Sequence, residues 1–141
     1  VLCHAVVEWV HEPHLVIRHL LDLLRLHGVL SLSFYNRNGI IFKNLLRANY
    51  NKILKQDYAG AQGSLTPTFP RAPEEVLQWL QQEPLELLCR SGMRVFHDYI
   101  LDKQNSERDP ETVIALELEF SRQGPYLDLG RYQHILARKT D

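Results

Sequence analysis

Apolar residues follow two different periods along this chain, and these periods predict strands alternating with helices. Mainly apolar runs over 1–7 and 29–35 are typical of strands buried on both faces of a sheet. Between them, a stripe at helical spacing follows Pro13 and predicts a helix that ends at about Leu26. Strand, helix and strand in this order predict a right-handed crossover between two parallel strands.

The rest of the chain continues this alternation. Glycine and proline are frequent in 51–72, which predicts a long surface loop without a clear period. Residues 85–90 and 93–99 are predicted to form one strand, broken or bulged at Ser91-Gly92. Further helices are predicted over 40–50, 73–80 and 109–122, and a last strand over 130–138.

The size of the chain and this order of elements predict one α/β domain. With 141 residues, 45% of them hydrophobic, there is enough material for one core and not comfortably for two. Two-sided apolar strands among helices indicate a three-layer α/β fold. In such sheets ligands bind beyond the carboxyl ends of the parallel strands, and 34–36 (FYN) occupies that position in the second strand.

Composition and net charge limit the class of protein but do not identify a binding partner. Sixteen basic and seventeen acidic residues give a formal charge of −1. No apolar run is long enough for a membrane helix and no leader peptide is visible, so we expect a soluble, cytoplasmic protein without membrane contact. Cys3 and Cys89 lie in apolar runs without a partner motif, which favours two buried thiols over a redox or metal role.

Positive charge is concentrated in one segment. Residues 36–56 contain five basic side chains and no acidic one, with aromatic residues interleaved; the five are Arg37, Lys43, Arg47, Lys52 and Lys55. Cations that contact phosphates and rings that stack on bases are typical of a surface for single-stranded RNA. The alternative is a solvated amphipathic helix whose aromatic residues belong to the core.

A second group of polar residues is predicted at the same edge of the sheet. If the third strand is parallel to the first two and the last is antiparallel, His97 and Tyr99 approach Arg131, with Arg94 close by. Arginine there could bind a carboxylate or phosphate through two hydrogen bonds. The competing interpretation is that these arginines pair internally with Asp98 or Glu86.

Other common sites find little support. Among the seven histidines, His11 and His14 lie three residues apart but flank Pro13 at a helix entrance, so we expect no metal site. The sequence has no nucleophile elbow, phosphate-binding loop or complete dinucleotide fingerprint.

Several stretches of the chain together form a recognisable set of motifs. They are His4–Val10, Gly28–Leu32, Phe34–Asn36, Arg94–Tyr99, and Gly130–Tyr132 with His134 and Ala137–Lys139. These motifs resemble those of a known family, the bacterial tRNA 5-carboxymethoxyuridine methyltransferases. The resemblance spans nearly the whole chain, and RVFHDY together with GRY-x-H is its most specific part.

This resemblance implies a fold and an activity. The family has the Rossmann-like, seven-stranded sheet of class I S-adenosylmethionine-dependent methyltransferases, with the last strand antiparallel. The chain begins at Val1 inside a strand, so we expect it to supply the fourth to seventh strands, the C-terminal half, with a basic helix and loop inserted at about 37–72. The implied reaction esterifies the carboxylate of the wobble nucleotide in tRNA, with S-adenosylmethionine as methyl donor.

The resemblance also suggests roles for individual residues. One wall of the donor pocket would come from His4, Ala5 and Val6, so we expect weak donor binding by this chain alone. The anticodon arm of tRNA would contact Arg37, Lys43, Arg47, Lys52 and Lys55. The substrate would be bound by Tyr35, Asn36, Arg94, His97, Tyr99 and Arg131, without a catalytic base.

Two other functions fit the same residues. A methyltransferase of this fold could act on a small metabolite, in which case tRNA would not bind at low salt. A catalytically inert module could bind RNA through 37–55, in which case RNA affinity would depend on salt without any donor binding.

Overall fold

Four strands form one mixed sheet in the computed structural model, which describes residues 1–61, 63–104 and 109–141. The sheet order is β1-β2-β4-β3, with β1 parallel to β2 and β4 antiparallel to both of its neighbours. The predicted α/β class with an antiparallel last strand is therefore confirmed. The strands are β1 (Leu2–His4), β2 (Val29–Tyr35), β3 (Leu85–Met93) and β4 (Tyr132–Lys139).

Helices occupy the segments between the strands. A 3₁₀ turn at His97–Tyr99 lies beyond the end of β3. The helices are α1 (Pro13–Asp22), α2 (Arg37–Leu46), α3 (Tyr50–Leu54), α4 (Pro73–Gln81), α5 (Pro110–Phe120) and α6 (Tyr126–Leu129). Within the described parts of the chain, no helix combines the length and apolar character needed to cross a membrane.

The core lies on one face of the sheet. Alternate residues of β2, Leu30, Leu32 and Phe34, are fully buried in the same cluster as Ile17 of α1 and Val76 of α4. Each such side chain stabilises the fold by about 1.5 to 3 kcal/mol, because its apolar surface leaves water. The core thus determines which residues of β2 face inward. It thereby also fixes the position of Asn36, the polar residue that follows the strand.

The opposite face of the sheet carries a short polar chain. Ser31 of β2 is hydrogen-bonded through Oγ to Nε2 of His4 and to Nε2 of His134, each at 2.8 Å. Burial, followed by the proximity of His4, lowers the pKa of His134. This network joins β1, β2 and β4 across the sheet, and the lowered pKa favours the neutral imidazole of His134 on this face.

Several predicted boundaries are confirmed and three need correction. β2 has the predicted limits, and α5 begins at the predicted Asp109-Pro110 pair, with Asp109 accepting a hydrogen bond from the backbone of Thr112 at 3.2 Å. α1 ends at Asp22, four residues earlier than predicted. The predicted loop over 51–72 contains most of α3, and α2 starts at Arg37 because Asn36 caps it through the backbone N–H of Asn38.

The prediction that 93–99 continues the third strand is wrong. β3 ends at Met93, and its register shifts between Leu87 and Cys89, not at Ser91-Gly92. Arg94 then takes a left-handed backbone conformation with φ of 57°, which ends the pairing with β4. The 3₁₀ turn that follows carries the chain over the end of the sheet.

Candidate anion-binding site

The end of β2, the end of β3 and the start of β4 meet at one edge of the sheet. Tyr132 is the register partner of Tyr35 in β2 and of Met93 in β3. The residues just beyond this register, Asn36, Arg94 and Arg131, are therefore neighbours in space. The backbone confirms this, because Asn36 N–H donates to the carbonyl of Arg131 at 2.9 Å and Arg131 N–H donates to that of Arg94 at 3.3 Å.

One buried carboxylate collects three cations at this edge. The side chain of Asp98 is only 6% exposed and pairs with Arg94, with Nη1 of Arg131 at 3.2 Å, and with Nζ of Lys43 at 3.8 Å. The competing interpretation from the sequence is thus confirmed for the internal pairing of both arginines. Glu86, the other candidate partner, instead pairs with Arg138.

The cations are in excess, and they line a cavity. It has a volume of about 290 Å³, and Asp98 is the one acidic residue among its described lining residues, which also include His97 and Ile100. The described lining contains five basic residues and one acidic residue, so the formal charge of these residues together is +4. The basic residues are Lys43, Arg47, Arg94, Lys103 and Arg131.

Glu117 of α5 holds the loop that carries Arg94 and His97. Its carboxylate accepts hydrogen bonds from the backbone N–H groups of Val95 at 2.7 Å, Phe96 at 3.1 Å and His97 at 2.7 Å. Left-handed backbone at a residue such as Arg94 is strained and occurs frequently at functional sites. Sequence reasoning missed Glu117, because its three partners lie about twenty residues away and are backbone groups.

Tyr99 and Asn36 support the site from within the fold. Tyr99 donates its hydroxyl hydrogen to the carbonyl of Leu129 at 2.7 Å, and burial, with the nearby Asp98 charge, raises its pKa to about 12. Asn36 is fully buried, and its amide donates to the carbonyls of Asp128 at 2.8 Å and Gly130 at 2.7 Å. The structure therefore leaves no surface of Asn36 for the substrate contact predicted for it.

Tyr35 is also largely enclosed. It packs edge to face against Tyr132 at 5.0 Å between ring centroids, and the guanidinium of Arg131 lies 5.3 Å from the Tyr35 ring. Burial raises the pKa of Tyr35, so its phenol stays neutral. Its clearest role is to support Arg131, since a cation over an aromatic face is attracted to it.

The predicted basic segment does not form one continuous surface. Lys43 of α2 and Arg47, the residue directly after the end of this helix, reach the cavity. Arg37 instead pairs with Glu75 at 3.1 Å, and Lys52 donates to the carbonyl of Ala59 at 3.3 Å. Lys55 is exposed at the end of α3. The structure thus brings Lys43 and Arg47 to the arginines of the second predicted group and places the other three basic residues elsewhere.

The three residues proposed for the donor follow β1 directly. Ala5 N–H donates to the carbonyl of Ser33 at 3.0 Å, which fixes this turn beside the end of β2. Ala5 has φ of 55°, and Ala5 and Val6 are exposed. His4 is already hydrogen-bonded to Ser31. Ala5 and Val6 therefore lie in an exposed turn directly after β1, and their role at the methyl donor stays a prediction.

Within the described ranges, no group of side chains is arranged to bind a metal ion, and the two cysteines do not form a disulfide. Over 1–61, 63–104 and 109–141, no three His, Cys, Asp or Glu side chains are grouped so that they could hold a metal ion. Both cysteines are free; Cys3 is buried, as predicted, whereas Cys89 is only half-buried. Burial raises the pKa of the Cys3 thiol.

Comparison with known proteins supports the resemblance found in the sequence. No protein-family model matches the chain. Two curated proteins do, both tRNA 5-carboxymethoxyuridine methyltransferases, one from Escherichia coli strain K12 and one from E. coli O157:H7. Each is 39% identical over 139 residues, which is 99% of this chain and 53% of the relative. The resemblance is confirmed along the chain.

The match also has a definite extent. The chain spans about half the length of these relatives, which fits the prediction that it corresponds to one half of such a protein. Among solved structures, the [4+2]-cyclase SpnF gives a TM-score of 0.48 at 15% identity, over 98% of this chain and 49% of that one. PKMT2 from Rickettsia typhi gives 0.49 at 12% identity, over 99% and 36%. Similarities this low carry no argument about function.

Proposed function

We propose that this chain carries the substrate-binding part of an enzyme that methylates the carboxylate of 5-carboxymethoxyuridine at the wobble position of tRNA. The methyl donor is S-adenosylmethionine, and the anticodon arm is the part of tRNA that binds. The proposal rests on one observation above all: a cavity of formal charge +4 lies where a sheet of this class binds its ligands. The names of the E. coli relatives supply the substrate. A tRNA substrate also accords with the cytoplasmic location predicted from the sequence.

The charges of the cavity suit an anionic substrate. Arg94 and Arg131 present planar groups that can each form two hydrogen bonds with a carboxylate or phosphate. Asp98 takes up only part of their capacity, because it also shares Lys43. Burial lowers the pKa of Lys43, and a bound anion beside this ammonium would favour its charged form.

The methyl donor and the acceptor carboxylate would lie at the same edge of the sheet. Ala5 and Val6 follow β1, and Arg131 precedes β4, with β2 between them. Neighbouring strands are about 4.8 Å apart, so the donor wall and Arg131 are separated by roughly 10 Å. That separation leaves room for a methyl group and an acceptor oxygen to meet above the end of β2.

The reaction requires the protein mainly to position the carboxylate and the methyl donor. S-adenosylmethionine supplies an electrophilic methyl group when bound. A carboxyl group with an ordinary pKa of about 4 is already ionised at neutral pH, so no general base is required. Arg94 and Arg131 would hold the carboxylate in line with the methyl group and would exclude neutral analogues. Tyr99 is protonated far above neutral pH and could not serve as a base in any case.

A chimera tests this function. In it, the chain replaces the matching 139 residues of the E. coli relative. We expect methyl transfer to tRNA that carries 5-carboxymethoxyuridine and none to tRNA with an unmodified wobble uridine. Arg131→Ala should lower kcat/KM at least tenfold, whereas Arg25→Ala, at an exposed position outside the cavity, should leave it unchanged.

Two results would contradict the proposal. One is a folded chimera that binds S-adenosylmethionine but leaves the modified tRNA unmethylated. The other is a chimera that methylates small carboxylic acids as efficiently as tRNA, which would favour a metabolite substrate.

A further inference from the structure

α5 forms the wall of a second, larger cavity. Its volume is about 590 Å³, within the range of ligand-binding pockets. The wall is apolar: Pro110, Val113, Ile114 and Leu118 lie along it, at positions spaced by three or four residues on the helix. Ile114 and Leu118 are 61% and 71% exposed, so the described part of the chain leaves these side chains uncovered.

This apolar cavity adjoins the basic one. Arg94 and His97 line both cavities. Glu117, from the apolar wall, holds the backbone of His97 in place with a 2.7 Å hydrogen bond, so the rim between the cavities is fixed to α5. The two cavities together form one surface with an apolar end and a strongly cationic end.

The apolar end and the cationic end together limit which kinds of ligand could bind to this surface. A purely apolar ligand would bring no negative charge to the cationic end, where the lining residues carry a net positive charge, and a simple anion would leave the apolar wall exposed to water. A nucleotide in single-stranded RNA has both parts, because its base is flat and largely apolar on its faces and its phosphates are anionic. Enzymes that read a base outside its helix hold it between aromatic or apolar side chains.

We propose that the apolar cavity binds one unstacked base of an RNA loop, while the adjoining phosphates of that strand lie in the basic cavity. This inference rests on the proposed function in taking RNA as the substrate, and it adds a base-binding site outside the carboxylate site. The base bound here is a neighbour of the modified one, since the methylated carboxylate would occupy the basic cavity.

A second copy of the chain fits this surface less well. A stable protein interface uses about 20 to 30 residues on each side. The described lining of the apolar cavity is one face of α5 with two residues of a neighbouring loop. The cationic rim would also repel an identical rim, so a polyanion is the better partner.

The test measures RNA binding by the 141-residue chain. Fluorescence anisotropy would follow a labelled RNA hairpin with a single-stranded loop and a fully paired RNA duplex of the same length. The variant is the double substitution Ile114→Ser and Leu118→Ser. Leu116→Ser is the matched control, because Leu116 lies on the same helix but not among the described lining residues of the cavity. Thermal unfolding would check that each variant is folded.

We expect the double variant to bind the hairpin about tenfold more weakly and to bind the duplex as the wild type does. The dependence of hairpin affinity on salt should keep its slope, because no phosphate contact is removed. Leu116→Ser should change neither affinity.

Each contrary result has a definite meaning. If the folded double variant binds the hairpin like the wild type, or loses duplex binding equally, the base-binding site is refuted while the carboxylate site is untouched. If the double variant dimerises less than the wild type and binds RNA unchanged, the surface joins copies of the chain. If the wild type binds neither RNA at low salt, the proposed tRNA substrate fails, and this inference fails with it.

Discussion

Nη1 of Arg131 lies 3.2 Å from Oδ2 of Asp98, although 33 residues separate them in the sequence. The contact joins the start of β4 to the 3₁₀ turn beyond β3, and Lys43 of α2 reaches the same carboxylate oxygen. Asp98 is therefore the point at which three separate segments of the chain form one basic cavity.

Asp98→Asn should change stability and RNA affinity in opposite directions. Loss of the carboxylate leaves three cations close together without compensation, so the free energy of unfolding should fall by roughly 1 to 3 kcal/mol. The cavity gains one formal charge, so affinity for single-stranded RNA at low salt should rise, with a salt slope steeper by about 0.7. Urea denaturation and anisotropy measure the two effects. Weaker RNA binding by the folded variant would show that the position of the arginines matters more than their charge.

Arg94 offers a way to separate backbone strain from side-chain function. Glycine adopts φ of 57° without the steric cost that other residues incur. Arg94→Gly should therefore be more stable than Arg94→Ala by about 1 kcal/mol, while both variants bind RNA equally weakly. If alanine and glycine are equally stable, the left-handed conformation costs nothing here and the strain argument is wrong.

Glu117→Ala should loosen the loop between β3 and the 3₁₀ turn. Three backbone N–H groups lose a charged acceptor, and we expect the free energy of unfolding to fall by about 2 to 3 kcal/mol. Glu119→Ala, at an exposed position two residues along α5, is the control. Hydrogen exchange at Val95, Phe96 and His97 should quicken in the Glu117 variant only. Unchanged exchange there would mean that other contacts hold the loop.

Because of His134, the free energy of unfolding should depend on pH in the acid range. The pKa of His134 is lowered in the folded chain, so this side chain binds a proton less readily than in the unfolded chain. Its contribution to stability is complete above the ordinary value of about 6.5 and is lost as the pH falls through the lowered value. His134→Gln should flatten the profile of unfolding free energy below about pH 6.5, whereas His19→Gln, at an exposed position, should not. A profile identical to that of the wild type would exclude His134 as the cause.

The parts of the fold that follow a local pattern could be predicted from the sequence. The sequence predicts the limits of β2 because its apolar run is bounded by Gly28 and by the polar Asn36. It predicts α4 because Pro73 marks the start of a helix and Pro84 marks its end. Each of these signals lies within a few residues of the element that it defines.

The site depends on contacts that no local pattern contains. Residues 93–99 look like a strand, but Glu117, a distant acid, turns the chain away by accepting three backbone hydrogen bonds. The sequence predicts one basic patch because these charges are close together along the chain. The fold separates them: Lys43 of α2 and Arg47 just after it line the basic cavity, whereas Arg37, at the start of α2, pairs with Glu75.

The basic cavity also makes the chain electrically polar. The whole sequence has a formal charge of −1, so a local +4 leaves −5 for everything else. A polyanion approaching from solution is attracted by one edge of the sheet and repelled by the remaining surface, which turns the two molecules toward each other before they touch. Productive encounters should thus become rarer as ionic strength rises, even where the final contacts are unchanged.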